Sequence, residues 1–206
     1  MRFAQPRWSI MGCRANTHAW GGLSLLAAAL SVPGLRAGIE SSMTLHMLVQ
    51  MPLLLAAGAW LMARLDPEVK AGARFDMQGL ASFSFCLVVA SYWMLPSAID
   101  RAVLEPGFDA IKVVSLLACG AMLRQAVMRA PPVVRLFFLG YILQMMLWLG
   151  LYWAFTEERL CNVYSLATQQ QAGMGLAALA AAAGAVLVWR LARSVASRPE
   201  AADPSP

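Results

Sequence analysis

Residues 43–63 read MTLHMLVQMPLLLAAGAWLMA and contain no charged side chain. A helix of this length covers about 30 Å, which is the thickness of the hydrocarbon core of a membrane. Across the 206 residues of the chain, 60% are hydrophobic and only 13% are charged. Such a composition is typical of an integral membrane protein rather than a soluble domain. We therefore predict an all-α fold, a polytopic bundle of transmembrane helices.

Similar apolar segments occur on both sides of this stretch. Together they predict six spans, at residues 20–35, 45–63, 78–97, 108–128, 133–155 and 172–189. The fourth segment is the least apolar, because Lys112 and Arg124 leave only eleven uncharged residues between them. It spans a membrane if both side chains extend to the two interfaces. A bundle of five spans stays open.

The distribution of basic residues predicts the orientation of these spans. With the N-terminus in the cytoplasm, twelve of the 16 Lys and Arg residues fall in inner segments. Only four fall in outer segments, namely Arg36, Arg101, Lys112 and Arg159. This positive-inside bias predicts an N-in/C-in protein of a bacterial cytoplasmic (inner) membrane. The net charge of +5 then reflects topology and contacts with anionic membrane lipids, and it requires no nucleic-acid partner.

The chain divides into three parts. We predict a cytoplasmic N-terminal segment at 1–17, a single transmembrane domain at 18–192 and a disordered cytoplasmic tail at 193–206. A cleaved signal peptide is the alternative for the first span, but no clear A-x-A site follows it, so we interpret it as a retained helix. Small residues at helical spacing predict close packing of the last helix, at Gly173, Ala177, Ala181 and Gly184.

The start of the second span carries an unusual set of polar and sulfur-containing side chains. At about 100° per residue, one helix face presents Met43, His46, Met47, Gln50 and Met51 within an arc of about 140°. Under the predicted topology, this face lies at the outer membrane surface, together with the ends of the third, fifth and sixth spans. Soft donors gathered on one side indicate a metal site, although core packing is the better explanation for any single methionine. Aromatic residues near the outer end of the fifth span fit an interfacial belt, at Trp148, Tyr152 and Trp153.

Three short motifs extend this interpretation. Residues 45–54 (LHMLVQMPLL), 92–100 (YWMLPSAID) and 168–174 (TQQQAGM) together resemble, in order and spacing, the CtaG-type cytochrome c oxidase assembly factors. Those are polytopic membrane proteins associated with copper supply to the oxidase, and the resemblance covers roughly residues 43–189. The chain departs from the family pattern where H-M-x-x-H has Gln50, where W-H-x-P has Met94 and where D-Q-Q has Thr168. The family usually has seven spans rather than six.

These departures replace two imidazoles and one carboxylate, and they leave a site rich in thioethers. Thioethers favour Cu(I), and they remain ligands in an oxidising periplasm. We therefore predict transient binding of Cu(I) for delivery to a respiratory oxidase or another cuproprotein, with no enzymatic activity. The predicted ligands are the His46 nitrogen and the sulfurs of Met43, Met47, Met51 and Met94. The predicted supporting residues are Gln50, Trp93, Gln169, Gln170 and Met174.

Two alternatives stay open. The chain either has given up metal and acts as a membrane scaffold or accessory subunit of a respiratory complex, or it carries a single haem between His46 and Met94. Hydrolase motifs such as G-x-S-x-G and H-E-x-x-H are absent, and no charged residue is expected at mid-span for ion or proton transport. The cysteines are expected to be packing residues or unpaired thiols. Homo-oligomers and hetero-oligomers are both open.

Overall fold

The fold is known from a computed structural model that describes residues 38–64, 76 and 78–196. Over these residues the chain is helical and contains no β-strand, which confirms the all-α prediction. Residues 38–40 form a helical turn that precedes the first long helix. The helices that follow are α1 (Met43–Arg64), α2 (Leu80–Trp93), α3 (Pro96–Leu104), α4 (Pro106–Arg129), α5 (Pro132–Phe155) and α6 (Leu166–Ala196).

Four of these helices, α1, α4, α5 and α6, are long and apolar enough to cross a membrane. Each contains one of the predicted spans, at 45–63, 108–128, 133–155 and 172–189. The predicted first span, the predicted segment 1–17 and most of the predicted tail lie outside the described residues. The tail prediction is wrong for residues 193–196, because α6 continues as a helix to Ala196.

The predicted span at 78–97 is the one that differs in shape. Helix α2 ends at Trp93, and α3 begins at Pro96 with its axis turned by 76°. Proline has no N–H and restricts the residue before it to extended conformations, so α2 cannot continue through Pro96. The pair α2 and α3 is thus a fifth candidate span with a sharp bend.

Helices α1 and α4 pack with their backbones in direct contact. A Cβ atom on Gly58 would overlap the carbonyl of Leu117, and one on Gly120 would overlap the carbonyl of Leu55. Only hydrogen fits at these two positions. Small residues allow this approach in apolar surroundings, where close van der Waals contact holds helices together.

Helices α5 and α6 form a second close pair. A Cβ on Gly150 would lie 2.8 Å from the carbonyl oxygen of Gly173 and 2.7 Å from the backbone nitrogen of Ala177. The close packing predicted at Gly173 and Ala177 is therefore confirmed. A Cβ on Gly184, by contrast, meets no described atom within 4 Å.

The main buried core extends from the middle of the bundle to one of its ends, where α1, α4 and α6 begin and where α2 and α5 end. We call this end the site end (residues 38–51, 93–112 and 153–170). Among its fully buried side chains are Trp153 and Cys161. Trp153 is only 1% exposed and belongs to the core. The expectation that it lies in an interfacial belt is therefore wrong.

Candidate functional site

Helix α1 changes its winding where the predicted site begins. Residues His46–Gln50 form a π-helical turn, in which the N–H of Met51 donates to the carbonyl of His46. Pro52 follows directly, and its ring clashes with the carbonyl four residues earlier in a regular α-helix, so a wider turn relieves the contact. Such π turns are frequent at functional sites. Here the turn leaves His46, Met47 and Gln50 buried.

The His46 imidazole is 0% exposed and lies where three chain segments meet. Its Nδ1 atom is 3.8 Å from Oε1 of Glu40, which precedes α1. Its ring centroid is 6.3 Å from that of Tyr164, in the loop between α5 and α6. Burial, with a contribution from the charge of Glu40, raises the pKa of Tyr164, so its hydroxyl stays protonated. The Tyr164 Oη atom is buried with no hydrogen-bond partner among the described residues.

Lys112 completes this arrangement from α4. The side chain is 0% exposed, and its Nζ atom lies 3.0 Å from Glu40 Oε1 and 2.8 Å from Asp109 Oδ1. Nζ also donates to Gln50 Oε1 at 3.4 Å. The expectation that Lys112 extends to a membrane interface is therefore wrong. Two carboxylates and an amide inside the bundle stabilise its ammonium group better than a long reach to solvent would.

These five residues form a buried ionic cluster, made of Glu40, His46, Gln50, Asp109 and Lys112. It places two carboxylates and one ammonium group inside a bundle of apolar helices. An unbalanced charge in an apolar interior is costly. The short contacts of Lys112 Nζ with both carboxylates therefore stabilise these buried charges.

Three of the predicted sulfur ligands share the buried face of α1 with His46. Met43 is 0%, Met47 6% and Met51 8% exposed, and all three belong to the main core. Met94 is half-buried at the C-terminal end of α2 and is not one of the buried members of that core. Met174 is 62% exposed, because it lies on a different face of α6 from the residues packed against α5. Its predicted supporting role has no basis in this geometry.

Two predicted supporting residues contact Lys112, one directly and one through Ser115. Gln50 contacts Lys112 directly, as described above. Trp93 donates from Nε1 to Ser115 Oγ at 2.9 Å, and Ser115 donates in turn to the carbonyl of Lys112 at 3.1 Å. Trp93 therefore fixes the end of α2 against the turn of α4 that carries Lys112.

The other two predicted supporting residues fasten the loop between α5 and α6. Gln169 accepts from the N–H of Leu160 at 2.9 Å and donates to the carbonyl of Glu158 at 3.1 Å. Gln170 donates to the carbonyl of Thr156 at 3.1 Å. These bonds hold the loop that carries Tyr164 over the site end, so both glutamines position a neighbour of His46 rather than His46 itself.

Asp100 is buried and makes contacts that the sequence did not predict. Its carboxylate accepts from the backbone N–H of Asn162 at 2.8 Å, from the side-chain amide of Asn162 at 3.1 Å and from the N–H of Val163 at 3.4 Å. This ties α3 to the same loop. In the same loop, burial and the nearby Asp100 charge raise the pKa of Cys161 to about 12. Cys161 therefore stays a neutral thiol at physiological pH, as expected for an unpaired packing residue.

Sequence periodicity missed the charged members of the cluster because they lie far apart in the chain. Glu40 precedes the span that carries His46, and Lys112 lies 66 positions after His46. One local signal was present, since Asp109 and Lys112 are three residues apart and so share a face of α4. Within the residues that the structure describes, no group of three or more His, Cys, Asp or Glu could hold a metal ion. A metal bound here would rely on an imidazole together with thioethers.

The site and the fold together define a bundle of apolar helices with a buried ionic cluster at one end. No protein-family model matches this chain, and neither a curated protein nor a solved structure does. The resemblance to the CtaG-type assembly factors therefore stays a prediction carried by the three motifs.

Proposed function

We propose that this chain is a multi-pass protein of a bacterial cytoplasmic membrane that holds one Cu(I) ion transiently at His46. The ion is its cargo, passed on to a respiratory oxidase or another cuproprotein. The observation that carries the proposal is the buried His46 imidazole, which shares one face of α1 with the buried thioethers of Met43, Met47 and Met51.

The neighbours of His46 favour Cu(I) over other metal ions. Met43 and Met47 are buried on the same helix face, and thioethers prefer Cu(I) to harder cations. Glu40 Oε1 lies 3.8 Å from Nδ1 of the imidazole, and in this proposal the opposite nitrogen of the ring is the ligand. Neutral thioethers hold copper less firmly than thiolates do, which suits a site that must release its ion. Met51, one turn deeper, and Met94, at the end of α2, complete the proposed donor set.

The topology supports delivery on the periplasmic side. Twelve basic residues fall in the segments assigned to the cytoplasm and four in the others, so the site end would face the periplasm. The target cuproproteins in this proposal are loaded on that side. Both the orientation and the sixth span at 20–35 belong to the proposal.

A metal-free scaffold is the second candidate, and one observation favours it. Lys112 already pairs with both carboxylates and with Gln50. In the scaffold, these contacts have a structural role alone, which is to hold α1 against α4. The two candidates then differ in whether the purified protein takes up Cu(I).

Competition for Cu(I) against a chromogenic chelator separates them. We expect the detergent-purified protein, kept under reducing conditions, to withdraw about one equivalent of Cu(I) from the chelator. His46→Ala should lose this ability, and Met47→Leu should weaken it, because each removes a proposed donor while leaving the ion pairs of Lys112 in place. Met174→Leu is the matched control, since it removes an exposed thioether on α6.

Equal copper uptake by the wild type and His46→Ala would favour the scaffold. Thermal unfolding of each variant, measured without copper, shows whether a loss of binding reflects a loss of fold.

A further inference from the structure

Helix α5 leaves more of its surface uncovered than the other long helices do. Only 6% of its most apolar 18-residue window is buried, compared with 39% for α1 and 28% for both α4 and α6. The exposed side carries large residues spaced by three or four positions, which places them on one helix face. We call this face the α5 stripe, and it consists of Phe137, Tyr141, Gln144, Trp148, Tyr152 and Phe155.

The middle of the α5 stripe is polar. Tyr141 is 51% exposed, Trp148 is 63% exposed and Gln144, which lies between them, is also exposed. None of the three has a hydrogen-bond partner among the residues that the structure describes. They span about 11 Å along the axis at 1.5 Å per residue, around the midpoint of a 24-residue helix.

Hydrocarbon is a poor environment for these groups. A lipid tail offers neither a donor nor an acceptor, so an amide that faces it at mid-depth remains unsatisfied. Aromatic belts lie at the two membrane interfaces, and Tyr141 and Trp148 are too close to the midpoint of α5 to belong to one. A protein surface covering the α5 stripe would satisfy all three groups.

We infer that the α5 stripe is the interface of a homodimer, in which Gln144 of each copy hydrogen-bonds to Gln144 of the other. A primary amide is both donor and acceptor, so two identical Gln144 side chains are complementary to each other. Two copies inserted in the same direction are related by a two-fold axis along the membrane normal, and residues at equal depth then meet. The stripe carries no charge that would select a partner of opposite sign.

A glycine on the same face permits the close approach that this pairing needs. Gly140 lies four residues before Gln144, and a Cβ atom there would meet no described atom within 4 Å. In membrane helices, glycine and other small residues at an interface let the two backbones come near each other. Tyr141 and Trp148 would then pack above and below the paired amides.

The test is the monomer–dimer equilibrium of the full chain in lipid vesicles. Chains carrying a donor or an acceptor fluorophore at the N-terminus are reconstituted at decreasing protein-to-lipid ratios, and energy transfer reports pairing. We expect the wild type to dimerise and Gln144→Leu to dimerise about five- to tenfold more weakly, because two hydrogen bonds between helices are lost. Gln144→Asn, which keeps the amide, should recover part of the affinity.

Gln171→Leu is the matched control, since Gln171 is an exposed glutamine near the start of α6. It should dimerise as the wild type does. A wild type that stays monomeric at every density, or a Gln144→Leu variant that pairs equally well, overturns the proposal and leaves lipid or a different membrane protein as the occupant. Leucine is apolar and similar in size to glutamine, so Gln144→Leu should fold, and an unchanged helical circular dichroism signal verifies this.

Discussion

The ammonium group of Lys112 lies 3.0 Å from the carboxylate of Glu40, and both side chains are buried inside a bundle of apolar helices. This pair joins the segment before α1 to the second turn of α4, across 72 positions of sequence. It also lies next to His46, whose Nδ1 atom is 3.8 Å from Glu40 Oε1. The stability of the site end and the chemistry of His46 are therefore linked through one lysine.

Replacing Lys112 should destabilise the protein strongly. In Lys112→Met, the buried carboxylates of Glu40 and Asp109 lose the ammonium group that lies 3.0 and 2.8 Å from them, and we expect a loss of about 3–5 kcal/mol in the free energy of unfolding. Unfolding in mixed micelles measures this loss. The control is Arg124→Met, since Arg124 is exposed on the same helix and should change stability by less than about 0.5 kcal/mol. Equal stability of the two variants would refute the buried-cluster description.

Tyr164→Phe should leave stability unchanged or raise it slightly. The substitution removes a buried hydroxyl that has no partner among the described residues and keeps the ring that packs against His46. Tyr164→Ala, which removes the ring as well, should cost about 3 kcal/mol or more. Thermal unfolding of both variants measures these effects. A loss above about 1 kcal/mol for phenylalanine would mean that the hydroxyl has a stabilising partner.

Cys161 should react slowly in the folded protein. Its pKa of about 12 means that only about one thiol in ten thousand is ionised at pH 8, and the side chain is 0% exposed. Maleimide labelling followed by peptide mapping should therefore modify it far faster in denaturant than in the native state. Asp100→Asn should speed native labelling more than tenfold, because it removes a neighbouring negative charge and loosens the loop. Equal native and denatured rates would contradict the burial of this thiol.

The same raised pKa values predict how stability depends on pH. Cys161 and Tyr164 ionise at higher pH in the folded chain than in the unfolded chain. The stability that they contribute is therefore fully present below about pH 8.5, the pKa of an unfolded cysteine, and is lost as the pH rises toward 12. Unfolding free energies measured from pH 7 to pH 10.5 should fall over the upper part of this range. Cys161→Ala should make the fall shallower, and an identical pH profile would argue against the raised cysteine pKa.

Close helix packing makes two glycines intolerant of any side chain. Gly58→Ala and Gly120→Ala each place a methyl group on a backbone carbonyl of the facing helix, so we expect losses of about 3 kcal/mol as α1 and α4 move apart. Gly184→Ala is the matched control, because its Cβ would meet open space in the described structure. It should be neutral or slightly stabilising. Chemical denaturation in detergent compares the three variants, and similar curves for all of them would exclude the tight α1–α4 contact.

Sequence periodicity predicted the α1 part of the site well. The spacing of His46 and its neighbours placed one imidazole, one amide and three thioethers on a single face, and all five side chains are buried. Hydropathy predicted six spans, and four of them match long apolar helices of the described residues, because apolar length alone identifies a span. The proline at position 96 indicates a helix break, but the angle of the bend depends on how α2 and α3 pack on α4.

What the sequence did not predict depends on tertiary packing. Nothing local tells whether Lys112 turns inward or reaches outward, since that is decided by Glu40, which lies 72 positions away. The exposure of Met174 likewise follows from the rotation of α6, which is set by the contact of Gly173 with Gly150. The closing loop is held by Asp100 and Gln169 through bonds to backbone groups, and such bonds leave no periodic signature in the sequence.

The X-ray absorption spectrum of the protein loaded with one equivalent of Cu(I) tests the central claim most directly. The account predicts sulfur scatterers from thioethers together with one imidazole nitrogen, and it predicts that the imidazole signal disappears in His46→Ala but persists in Met174→Leu. Identical spectra for the wild type and His46→Ala, or a copper ion without sulfur ligands, would contradict it.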